Sequence, residues 1–215
     1  MTTIDWYFDF VSPFAYLQSC RLERVPEVAR SLVCHPVVFG AILDHWHQLG
    51  PAEVPPKREL TYRHVVWRAA RDGIPLRMPA AHPFNPLPLL RLAIVAGAEF
   101  AVVRRIFDWV WREGHLPDER PALAALADEL GIEDWERAIG AATVKDALRD
   151  ETSAAIAKGV FGVPSAIIEG TLFWGDDLTD MLLEFRADPG LFAGAAYAGL
   201  ADLPEGVRRP YVSRR

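Results

Sequence analysis

Ser12 is the residue best placed for chemistry. It follows an aromatic and β-branched run over residues 4–10 and directly precedes Pro13. Such a run reads as a buried strand. Serine is a favoured helix N-cap, and proline is favoured at the first helical position. The pattern predicts a hydroxyl at the mouth of a helix, at the end of a central strand. Unpaired N–H groups and the positive end of the helix dipole converge there, which suits an oxyanion, a phosphate or a thiolate. A Ser-Pro junction alone is ordinarily just a cap, so Ser12 needs a second element to become a site. Val163-Pro164 is that candidate. Proline at a strand start has no N–H for the sheet, so it lies at an edge or serves a purpose. Asp176 and Asp177 follow and read from position as caps of a last helix.

Other chemistries find less support. Cys20 and Cys34 form neither a Cys-x-x-Cys pair nor a metal spacing, and both read as buried thiols. The six histidines lack acidic or cysteine partners at ligand spacing, so no metal is expected. A net charge of −6 gives a nucleic-acid partner no electrostatic support. The basic stretch 208–215 reads as a short solvated tail. No apolar run reaches membrane-spanning length. The first residues lack the basic and apolar regions of a secretory signal, so a cytoplasmic protein with no membrane partner is expected.

The elements that must position these residues follow from the pattern. A helix starts at Pro13, and Pro26 must kink or restart it. A second strand covers 31–38, with Pro36 placing it near an edge. This β-α-β unit implies parallel strands and a right-handed crossover. Residues 40–56 show no period and read as a long loop. Helices follow at about 57–70, 87–98, 99–113, 121–130, 134–141 and 143–158, with an irregular proline-rich stretch at 78–88. A hairpin comes next, strands 163–168 and 171–174 joined by Glu169-Gly170. A last helix covers 178–186. The class is α/β: a thioredoxin-like β-α-β and β-β-α core interrupted by an all-helical insertion. The expected division is 1–44 with 159–188 as a discontinuous thioredoxin-like domain, 45–158 as the insertion, and 189–215 as a C-terminal extension. A chain of 215 residues, 51% of them hydrophobic, can bury such a core.

Phe8-Asp9-Phe10-Val11-Ser12-Pro13-Phe14-Ala15-Tyr16-Leu17 resembles the opening of the 2-hydroxychromene-2-carboxylate isomerases. Gly159-Val160-Phe161-Gly162-Val163-Pro164-Ser165, with Phe173-Trp174-Gly175-Asp176-Asp177, resembles their second signature. His82-Pro83-Phe84-Asn85-Pro86-Leu87 and Leu90-Arg91-Leu92 fit the same group. The likeness spans residues 4–186 and extends to kappa-class glutathione transferases and, more distantly, DsbA-like oxidoreductases.

The resemblance implies a cis proline at Pro164 and a glutathione cofactor. Ser12 would hydrogen-bond the glutathione sulfur, where redox relatives carry their first cysteine. Val163 would pair with the tripeptide backbone while Pro164 shapes the turn. Asp177 would take the γ-glutamyl ammonium with Asp176 assisting, and Lys57 a glutathione carboxylate. The implied reaction on an aromatic small-molecule substrate is a reversible thiolate addition. A double bond becomes single, rotates, and expels the thiolate, giving the trans isomer. Asn85 is the candidate for the substrate carboxylate, and Trp46 or Trp67 for stacking. The chain departs from the family pattern in three places. Residues 41–56 lack an asparagine, Leu60 and His64 align with a tyrosine and an aspartate, and Leu178 follows Asp177 where arginine is usual. Two alternatives share the fold: a kappa-like transferase that consumes glutathione, and a non-catalytic DsbA-like binding protein. Disulfide chemistry is disfavoured by Ser12 and Ala15 standing where its cysteines would be. The family also suggests a homodimer.

Overall fold

The computed structural model describes residues 2–207; the basic stretch 208–215 lies outside them. The chain opens with β1 (Ile4–Phe8) and α1 (Pro13–Glu23). The helix ends before Pro26, which restarts it as the short α2 (Pro26–Ala29). Next comes β2 (Leu32–Pro36), followed by α3 (Phe39–His45). A 3-10 turn at Pro51–Glu53 leads into α4 (Pro55–Arg71). Five helices follow: α5 (Leu87–Val95), α6 (Phe100–Trp111), α7 (Arg120–Glu129), α8 (Trp135–Gly140) and α9 (Ala142–Ala157). The hairpin β3 (Ser165–Ile168) and β4 (Thr171–Trp174) precedes a 3-10 turn at Asp176–Leu178 and α10 (Thr179–Ala187).

The sheet order is β2-β1-β3-β4, with β1 and β2 parallel and the remaining pairs antiparallel. Pro36 closes the edge strand β2, where a missing N–H leaves no inner ladder broken. β1 is central, and Ile4, Trp6, Tyr7 and Phe8 are all buried. Its two faces have different partners because successive side chains alternate. Trp6, Phe8 and Phe10 pack against Phe107 of α6, at centroid distances of 6.1, 5.7 and 4.7 Å. Tyr7 joins Val37, Ile42, Ala155, Val160 and Val163 on the other side. The helical block thus shares its core with the sheet, and residues through Thr179 form one compact unit. From Asp180 a second unit begins, in which Phe192 packs between Phe185 and Tyr197 at 5.3 and 5.1 Å.

Two expectations need correction. The stretch 40–56 is not one long loop. It holds α3, whose Ile42 and Leu43 are buried, and the 3-10 turn. No residue next to α3 caps it through a side chain, because the Asp9 carboxylate accepts from the Phe39 N–H at 2.9 Å. Nor do Asp176 and Asp177 cap a helix: they form the 3-10 turn before α10. Cys20 is buried as expected, while Cys34 is half-buried.

Candidate active site

Ser12 lies between β1 and α1, with Pro13 at the first helical position. Its Oγ accepts from the Ala15 N–H at 3.2 Å, the N-cap bond that the sequence predicts. The same hydroxyl donates toward the Val163 carbonyl, 151 residues away, at 3.5 Å. An O–H···O bond normally closes to about 2.7–2.8 Å, so this donor is held only weakly. A stronger acceptor at the helix mouth would draw it away. The Val163-Pro164 bond is cis. Among the described residues no group accepts the Val163 N–H. The two distant segments therefore meet, and they present a hydroxyl, a free backbone N–H and the α1 N-terminus side by side.

The frame beneath Ser12 is built from groups whose role the sequence reading passed over. Asp9 is fully buried. Its Oδ1 accepts from Val11 N–H at 3.0 Å, and its Oδ2 accepts from Phe39 N–H. Its backbone carbonyl accepts from Ser12 N–H at 3.0 Å. Burial pushes its carboxyl up to about 7 against the pull of the two N–H donors. Its signal in the sequence was an acid inside an aromatic run. His82 packs from the other side, with Nε2 2.8 Å from the Val11 carbonyl and Nδ1 2.8 Å from the Tyr62 hydroxyl. Burial holds its imidazole below the ordinary histidine range.

The 175–177 segment is brought beside Pro164 by the Gly175 N–H, which donates to the Pro164 carbonyl at 2.9 Å. Gln18 of α1 donates to the Gly175 carbonyl at 3.0 Å. Asp176 turns inward and is 3% exposed. Its Oδ1 lies 3.3 Å from Arg21, its Oδ2 3.5 Å from Arg68, so it ties α1 to α4. Burial outweighs both cations and raises its carboxyl. Asp177 is exposed and has no partner among the described residues. Its carboxylate folds over Gly175, whose φ of 96° and lack of a Cβ make the room. Of the two predicted ammonium ligands, Asp177 faces out, whereas Asp176 is already paired.

The remaining candidates surround this centre at varying distance. On α4, His64 packs against Phe14 at 5.4 Å. Lys57 is exposed on the same helix, about two turns or roughly 10 Å of rise toward its start. Leu60, also on α4, is 67% exposed. Asn85 is exposed, and its Oδ1 accepts from Leu87 N–H at 3.1 Å at the start of α5; among the described residues it makes no hydrogen bond to Ser12. Trp46 donates from Nε1 to the Val160 carbonyl at 2.9 Å, bracing the loop before the cis proline. Trp174 lies over Gly162, where a Cβ would strike its ring, and packs on Phe161 at 5.1 Å. Trp67 lies under Arg71 on α4 and packs against His64 at 6.1 Å. An open hollow of about 140 Å³ farther along α1 is lined by Tyr16, Cys20, Arg104 and Asp108 among others, but not by Ser12. Arg104 is committed there to Ser19 and Asp108, each at 2.8 Å.

The chain has relatives among known proteins. Residues 3–185 match the family model of the DSBA-like thioredoxin domain. The chain is 30% identical over 190 residues to a 2-hydroxychromene-2-carboxylate isomerase of Pseudomonas putida, covering 83% of this chain and 91% of that protein. It is 24% identical over 208 residues to glutathione S-transferase kappa 2 of Caenorhabditis elegans, covering 86% and 92%. The solved structure of a 2-hydroxychromene-2-carboxylate isomerase superposes with a TM-score of 0.79 at 27% identity, over 86% of this chain and 94% of that one.

Proposed function

The chain belongs to the 2-hydroxychromene-2-carboxylate isomerase family of DSBA-like thioredoxin-domain proteins, and from that premise we propose that it is a glutathione-dependent cis/trans isomerase of aromatic catabolism. The observation that carries the reading is the Ser12 hydroxyl facing the Val163 edge, with the Val163 N–H open beside it. That N–H and carbonyl match a peptide backbone, which glutathione has and a simple anion lacks. The relative named for glutathione on the same fold adds support.

Glutathione, when bound, supplies a thiolate that adds to a conjugated double bond, lets it rotate as a single bond, and is expelled intact. The chain's own residues do the rest. Ser12 donates a hydrogen bond to the sulfur, and the α1 N-terminus adds its partial positive charge; both favour the ionised thiol. Val163 aligns the tripeptide by backbone pairing beside the cis Pro164. Asp177 is the free carboxylate for the γ-glutamyl ammonium, and Asp176 supports it by fixing the turn through Arg21 and Arg68. Lys57, with no ion-pair partner among the described residues, serves a glutathione carboxylate. Asn85 keeps its amide N–H groups for a substrate carboxylate. On the family resemblance alone, the reaction is assigned to the cytoplasm and to a homodimer.

The kappa-class relative favours one competing reading, a transferase that leaves glutathione on its substrate. Turnover of 2-hydroxychromene-2-carboxylate with free thiol counted throughout separates the two. The isomerase reading requires turnover that needs glutathione and leaves its amount unchanged. Loss of one thiol per product would establish the transferase, and turnover without glutathione would refute both.

A further inference from the structure

We propose that His82 is a positioning residue for this reaction, fixing the Val11–Ser12 peptide so that the Ser12 hydroxyl stays aimed at the Val163 edge. The inference rests on the reading of Ser12 as the group that holds the thiolate.

The tautomer of His82 is fixed by its partners. The Val11 carbonyl can only accept, so the hydrogen in its 2.8 Å contact with His82 belongs to Nε2. A neutral imidazole then has Nδ1 as its acceptor, and the Tyr62 hydroxyl hydrogen lies between Nδ1 at 2.8 Å and the His82 carbonyl at 3.0 Å. Arg58 completes the chain. Its Nε donates to the Tyr62 oxygen at 3.0 Å, which turns the hydroxyl hydrogen toward His82, and its Nη2 donates to the His82 carbonyl at 2.6 Å. The ring itself is wedged between Tyr62, Phe84 and Trp111, at centroid distances of 5.4, 6.2 and 5.5 Å. Position, orientation and tautomer of His82 are all set by neighbours.

What this device holds is a single peptide plane. The Val11–Ser12 peptide has its C=O gripped by His82 and its N–H gripped by the Asp9 carbonyl at 3.0 Å. Rotation of that plane changes the Ser12 φ and swings the hydroxyl. The side chain resists this only through the N-cap bond from Ala15 N–H at 3.2 Å and the 3.5 Å contact toward Val163. A displacement of about 1 Å at a reacting group costs up to roughly 100-fold in rate. Among the described residues none of these side chains bonds to the Ser12 hydroxyl or to Val163, so their effect should appear in turnover more than in ligand affinity.

The test compares His82→Leu, His82→Gln and Tyr62→Phe with the wild type, measuring kcat on 2-hydroxychromene-2-carboxylate and glutathione Kd by calorimetry. The expected result for His82→Leu is a kcat lower by about ten- to hundredfold with Kd within about threefold. His82→Gln, whose amide N–H reaches the Nε2 position, should recover kcat to within about threefold of wild type. Should the leucine variant fail to fold, Tyr62→Phe carries the test. It loses the bond to Nδ1 that holds the ring in place and should lower kcat by a few-fold at unchanged Kd. Full kcat in both the leucine and phenylalanine variants, or equal loss in His82→Gln and His82→Leu, would overturn the role of His82 while leaving the glutathione reading intact. A wild type without glutathione-dependent turnover would overturn both.

Discussion

Asp9→Asn replaces a buried acid by a group that cannot ionise and leaves the backbone bond from Asp9 to Ser12 in place. In the folded chain burial pushes the Asp9 carboxyl from an ordinary 3.8 up to about 7. A raised carboxyl means the folded state holds the proton more tightly. The stability this contributes is full below about pH 4 and is lost as pH rises through about 7. At about 1.4 kcal/mol per unit, roughly three units correspond to about 4 kcal/mol between those limits. Asparagine removes that slope and imposes a constant cost instead. Its NH₂ must face either the Val11 or the Phe39 N–H, leaving a buried donor unpaired at about 1–3 kcal/mol. The variant should thus be less stable than wild type at pH 4, and the gap should shrink or reverse by pH 8. Urea unfolding at a series of pH values measures it, because all other titrating groups are common to both chains and cancel in the difference. A gap independent of pH between 4 and 8 would refute the placement of Asp9 as a buried acid with a raised pKa.

Two further substitutions separate frame from ligand contact. Asp176→Ala leaves the Arg21 and Arg68 guanidiniums facing a buried gap and should cost about 2–4 kcal/mol in urea unfolding; a loss under about 1 kcal/mol would show that Asp176 does not join α1 to α4. Asp177→Ala should leave unfolding stability within about 0.5 kcal/mol and weaken glutathione by about tenfold, near 1.4 kcal/mol, in calorimetry. Unchanged affinity would remove Asp177 from the site.

Much of this arrangement could be read from local pattern. The strand–Ser–Pro–helix junction, the hairpin and the helical block all rest on interactions within a few residues, and each appears where its signals stand. The misreadings share one physical cause. α3 went unread because its first amide is satisfied by Asp9, some thirty residues earlier, and residues 40–56 show no period. Asp176 looked like a cap because a helix follows it, yet its partners sit on α1 and α4, which no local window contains. His82 belonged to a motif that fitted the family, but its bond to the Val11 carbonyl depends on how the 78–88 stretch folds back over the strand end. Val163-Pro164 was legible only because fold order and family likeness pointed to the same position.

In the proposed mechanism the Ser12 hydroxyl and the α1 N-terminus stabilise a bound glutathione thiolate. Ultraviolet thiolate absorbance, followed against pH for glutathione on the wild type and on Ser12→Ala, tests it directly. A hydrogen bond to a charged acceptor is worth about 1.5–3 kcal/mol, or roughly one to two pH units. The bound thiol should titrate well below the free value of about 8.5 in the wild type, and higher by about one to two units in Ser12→Ala. The same midpoint in both proteins, or a wild-type midpoint equal to that of free glutathione, would contradict it.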